Sequence, residues 1–143
     1  MKIIYSFVSI LILISSCSTS KVTNEQNTTN QINNSQINNI QFDKDKIIIE
    51  KKLCYKYSLI ENNFLITDLN NKELIKGTIK SEEDNNFSSI ITFITINKKF
   101  HNKKIIGRND IIFALCYDNV IDKTCKISQE KLKIFVDKNN ELK

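Results

Sequence analysis

The stretch "FLITDLNNKELIKGTIK", residues 64–80, sets the reading of the whole chain. Two apolar-rich runs, 64–69 and 73–80, flank Asn70-Asn71, and asparagine tolerates the left-handed backbone that a tight reversal needs. The segment therefore predicts a β-hairpin. Upstream, "KIIIEKKLCYKYSLI" (46–60) holds one or two further strands, and downstream "FSSIITFITIN" (87–97) is apolar on both faces, as in a central strand. Residues 82–86 form a longer polar turn between the strands on either side.

Two more segments extend the pattern toward the C-terminus. "DIIFALCY" (110–117) is a strand candidate, and in "KLKIFVD" (131–137) Leu132, Ile134 and Val136 alternate with Lys131, Lys133 and Phe135, the pattern of a half-buried edge. The second segment has a competing reading, because Ser128 could cap a short helix over "DKTCKISQEKLKIF". With no proline, two glycines and many Ile, Phe, Thr and Val, the composition favours strands. The expectation is a mainly β fold, a single small antiparallel barrel or sandwich of six to seven strands, over residues 42–143. These 102 residues suffice for one core burying about two thirds of the unfolded surface.

The chain begins with Met1, Lys2 and a run, 3–14, of mostly apolar residues. One cation followed by about a dozen apolar residues has the proportions of a secretory signal peptide, whereas a spanning helix needs about 20. Small residues Ser15 and Ser16 then precede Cys17. Leu13-Ile14-Ser15-Ser16-Cys17 resembles the lipobox of bacterial lipoproteins. The resemblance implies a signal peptide at 1–16, cut before Cys17, and an acylated Cys17 that holds the protein on a membrane. Two or three acyl chains would make that hold durable, since each buried methylene contributes about 0.8 kcal/mol. It further implies a bacterial cell-envelope location. Ser18 after the cysteine is similar to the outer-membrane pattern where the cell has two membranes.

Residues 18–41 contain 18 Ser, Thr, Asn or Gln among 24, with too few apolar residues for a core. Residues 17–41 thus read as a lipidated cysteine followed by a disordered tether. Ile, Asn and Lys together supply 65 of the 143 residues, and all three have A/T-rich codons, so their abundance says little about function.

With Cys17 acylated, Cys54, Cys116 and Cys125 remain, an odd number in an oxidising compartment. Cys116 at a strand end and Cys125 across the following turn are the expected bridge, with Cys54 to one of them as the alternative. The spacings and the single histidine provide no zinc-ligand pairs, and no metal or cofactor is expected.

Catalytic signatures are equally scarce. His101 stands alone among lysines, no phosphate-cradling glycine loop or nucleophile elbow is present, and Asp68, Glu73, Asp110, Asp118 and Asp122 each lie beside an expected turn. The expectation is a non-catalytic protein. The strongest charge feature is a loop, 98–108, in which Lys98, Lys99, Lys103, Lys104 and Arg108 surround Phe100. That loop is a candidate for binding anionic lipid or glycan, while the mild net charge, +5 over the chain, gives little support to nucleic acid as a partner. The leading expectation is a membrane-anchored lipoprotein whose β domain binds another envelope or secreted protein, as an assembly component or an inhibitor. The alternative is an anion binder acting through the basic loop.

Overall fold

The computed structural model describes residues 37–142; the expected signal peptide, Cys17 and nearly all of the expected tether lie outside the described residues. The fold is mainly β. Seven strands, β1 (Ile40–Asp43), β2 (Lys46–Ile49), β3 (Lys52–Ile60), β4 (Asn63–Thr67), β5 (Glu73–Ser81), β6 (Phe87–Phe93) and β7 (Lys98–Phe100), form one antiparallel sheet. Their order in the sheet follows their order in the chain, so every connection is a local hairpin and β1 and β7 are the two edges. β1 begins two residues ahead of the expected start at Phe42.

The hairpin that anchors the reading forms as expected, with a longer turn. Phe64 pairs with Gly77 and Ile66 with Ile75 across β4 and β5. Asn71 takes the left-handed conformation (φ 65°), and Asp68 Oδ1 accepts from the backbone N–H groups of Asn70 and Lys72. An aspartate accepting from its own turn fixes the reversal without a glycine. Gly77 has a different role. A Cβ there would lie 2.3 Å from the Phe64 ring, so the absence of a side chain on β5 makes room for the phenyl group on β4.

Strand alternation sends one set of side chains to a single core. Ile47, Ile49, Tyr55, Phe64, Ile66, Ile75, Ile91, Phe93 and Phe100 are buried there, and removing such a side chain from water contributes about 1.5–3 kcal/mol each. The other side of that core is helical. α1 (Arg108–Tyr117) contributes Ile111, Ile112, Leu115 and Cys116, and α2 (Gln129–Asn139) contributes Leu132, Phe135 and Val136. Both segments were expected as strands. In α1 the buried residues recur at i, i+1, i+4 and i+5, a helical face, and the Asp110 carboxylate accepts from the Ile106 and Gly107 N–H groups at its start. In α2 the competing helical reading is the one realised: Ser128 caps the first turn, its hydroxyl accepting from Lys131 N–H. "FSSIITFITIN" also divides, with β6 ending at Phe93 and a 3₁₀ turn over Ile94–Ile96.

The disulfide joins Cys54 of β3 to Cys125, with Cα atoms 5.3 Å apart, and not Cys116 to Cys125. The reason is α1. The expected pairing placed Cys116 at the end of a strand facing Cys125 across a turn, but in a helix Cys116 points into the core and remains a free thiol. The chain after α1 passes Asn119, left-handed at φ 54°, and buries Val120 and Ile121. Asp122 then accepts from Thr124 and Lys126 N–H, turning Cys125 toward β3, where its carbonyl accepts from the Tyr55 hydroxyl at 2.6 Å.

Candidate functional site

The expected basic loop, 98–108, is not one loop. Lys98, Lys99 and Phe100 form β7, and Phe100 is fully buried, stacked on Phe135 at 5.5 Å and edge-on to Phe93 at 5.8 Å. Its ring is therefore committed to the core. Arg108 opens α1 with its guanidinium 4.0 Å from the Tyr57 ring and 4.8 Å from Phe42, while Nη1 donates to the Lys44 carbonyl. A cation held between two rings and a carbonyl ties α1 to β1 and β3, a structural duty. Lys98, Lys99, Lys103 and Lys104 remain exposed, but the aromatic and the arginine that would have made them one binding surface face elsewhere.

His101 is half-buried. Its Nδ1 lies 2.8 Å from the Ser89 carbonyl, which makes Nδ1–H the donor, and its backbone N–H donates to Asn140 Oδ1. It lines a hollow of about 320 Å³ with Glu82, Asn86, Phe87, Ser88 and Lys103. The Ser88 hydroxyl in that hollow donates to Glu82, not to the imidazole. The three side chains that could suggest a serine–histidine–carboxylate relay are thus wired to separate partners. Asp68, Asp110 and Asp122 accept the turn and cap bonds described above. Burial raises the Asp122 carboxyl, but the Thr124 hydroxyl and the Lys126 and Thr124 amides outweigh it and hold the group below the usual carboxylate range. No set of three or more His, Cys, Asp or Glu placed to hold a metal occurs among the described residues.

A surface that the sequence reading missed lies on the helical side. Two clefts of about 380 and 370 Å³ share Tyr117 and so adjoin. Ile37, Ile40, Phe113, Ala114 and Cys116 line one; Asp118, Lys131, Ile134 and Lys138 line much of the other. Between them stand three large apolar side chains open to solvent: Tyr117 at 75 % exposure, Ile134 at 59 % and Phe113 at 48 %. They were invisible while both segments were read as strands, because a strand puts Phe113 and Tyr117 on the same face as Ile111 and Leu115, which reads as core, and only the helical period buries Ile111 and Leu115 while turning Phe113 and Tyr117 outward.

The sheet edges differ in availability. The β7 edge is covered by the residues after α2: Asn140 Nδ2 donates to the Lys99 carbonyl, Glu141 N–H to the His101 carbonyl, and Asn102 Nδ2 to the Asn139 carbonyl. β1, four residues long, forms the other edge and pairs only with β2. No described helix is long and apolar enough to cross a membrane. No protein-family model, curated protein or solved structure matches the chain.

Proposed function

We propose that the protein is a lipid-anchored component of a bacterial cell envelope whose folded domain is a non-catalytic docking module for another envelope or secreted protein. The observation that carries this reading is the apolar surface of Phe113, Tyr117 and Ile134 between two adjoining clefts. Isolated exposed apolar residues are ordinary, but aromatic residues grouped beside hollows and rimmed by polar groups are the composition of a protein interface. The rim carries Lys131 and Lys138 against Asp118, so the partner that fits presents apolar anchors with carboxylates beside them. Acylation of Cys17 would hold the module on the membrane, and the residues between Cys17 and Ile37 would give it reach.

Two measurements test the two halves. Metabolic labelling with a radioactive fatty acid should mark the wild-type chain and leave Cys17→Ser unlabelled; label in the variant sinks the anchor. For docking, Ile134→Asp and Tyr117→Asp, both at positions more than half exposed, should leave thermal unfolding within a few degrees of wild type. Each should release a co-purifying protein that His101→Ala retains. Retention by all three variants sinks the docking face.

A further inference from the structure

On the face of the sheet turned away from the core, Asp43 stands opposite Lys46 near one edge and Glu73 opposite Thr67 at the start of β5, while the region around Lys76 and Lys99 carries cations with no acid paired across a strand. In register across five strands stand Ser58, Leu65, Lys76, Thr92 and Lys99. The cross-strand neighbours of Lys76 are Leu65 and Thr92 and that of Lys99 is Thr92, so no carboxylate faces these two from an adjacent strand, whereas Lys80 faces Ser88, whose hydroxyl donates to Glu82. All three lysines are exposed. Lys76 and Lys99 are two strands apart, about 10 Å at the backbone.

Around Lys76 the face is hollowed. Asn63, Lys76, Thr78, Ile90 and Thr92 line a depression of about 180 Å³. Its polar groups are biased toward donation. The Thr78 hydroxyl donates to Asn63 Oδ1 at 2.7 Å, which uses the acceptor end of the amide and leaves the Asn63 NH₂ to donate outward, next to the Lys76 ammonium and the Thr92 hydroxyl. A cluster with free N–H and O–H donors, one full positive charge and its amide oxygen already accepting one bond matches an oxyanion.

We infer that this depression, with Lys99 and Lys80 beside it, is a binding site for the phosphate or carboxylate groups of an anionic glycan. The hollow accepts one charged group and the flanking lysines continue the positive charge along the sheet, which suits a polymer rather than a single ion. Hydroxyls and an amide between the cations pair with sugar hydroxyls. The outward positions of β3 to β7 hold no aromatic side chain, so the face lacks the stacking platform that single-stranded nucleic acid uses and the aromatic wedge of a membrane-inserting surface. This site lies on the sheet, apart from the helical clefts, and stands whether or not a protein docks there.

The test uses the mature chain in neutral detergent against three immobilised polymers, dextran sulfate, polygalacturonate and uncharged dextran, and against vesicles with and without anionic lipid. Lys76→Gln combined with Lys99→Gln should weaken binding to both charged polymers about tenfold or more. Lys103→Gln with Lys104→Gln, which removes the same charge elsewhere, should change it less than about twofold. Unfolding midpoints should match the wild type in both pairs, since all four side chains are exposed. Equal weakening by the two pairs would show mere net charge and overturn the site. So would equal retention on charged and uncharged dextran, or binding to anionic vesicles with none to the charged polymers.

Discussion

Cys116 is a free thiol buried in the hydrophobic core that holds Leu115, Val120 and Ile121, and burial pushes its pKa up to about 12. A thiol that stays protonated is a poor nucleophile, so native protein should react negligibly with iodoacetamide at pH 8 and give one labelled residue in the described domain once unfolded without reductant. Labelling of Cys54 or Cys125 instead would contradict the bridge. The sign of the pH effect follows from the raised value. The neutral thiol's contribution is whole below its unfolded value of 9.0 and is lost as pH rises from there toward 12. Over that span stability falls by up to about 1.4 kcal/mol per pH unit. Tyr55, also buried and raised, adds a second loss at still higher pH. Urea midpoints should therefore fall between pH 9 and 10.5, and fall less in Cys116→Val. Asp122 acts at the opposite limb: its lowered pKa makes its contribution present above about pH 4 and lost on acidification. Asp122→Ala should cost about 1 kcal/mol at pH 7, and less as the pH is lowered below about 4.

Among the elements, the β4–β5 pair is the most tightly specified. Gly77→Ala drives a methyl into the Phe64 ring and should destabilise by about 1–3 kcal/mol, and Phe64→Leu on the same background should recover part of the loss. A Gly77→Ala protein of unchanged stability would mean that the ring is not seated there. This hairpin was legible because two signals coincide in it, alternating apolar residues and asparagines at the reversal. β2 and β3 were legible as an apolar-rich segment of strand-forming residues, and β6 as a run apolar on both faces. Segment 110–117 was not, because a run apolar on nearly every side carries no period of two to distinguish it from a helix, and the arbiter lay outside the run, in Gly107 and the Asp110 carboxylate three residues on. For α2 both signals were present, and the Ser128 cap decided.

At the level of the whole molecule, that single misreading spread. Taking 110–117 as a strand put Cys116 opposite Cys125, merged Phe113 and Tyr117 into one strand face with Ile111 and Leu115, and made 98–108 a free loop. The helix reverses all three. Cys54–Cys125 links the sheet to the segment between the helices across 71 residues of chain, a loop whose closure contributes about 4 kcal/mol by chain entropy. Cys54→Ser with Cys125→Ser should lose stability of that order, and Cys116→Ala should leave the bridge intact on non-reducing peptide maps. The basic loop failed as a unit because residue count says nothing of direction: Phe100 turned into the core and Arg108 onto two rings, while Lys99 shares a face with Lys76 and Lys80 of β5, from which it is distant in sequence, only through strand register.

The docking surface is tested most directly by placing a photo-cross-linking phenylalanine analogue at Tyr117 and, in a separate chain, at Thr78 on the opposite side, and irradiating cells that express each one. The account predicts one discrete heavier species from position 117, containing a single other protein and lost when Ile134→Asp is added, with no such species from position 78. Identical adduct patterns from the two positions, or none from 117, would contradict it.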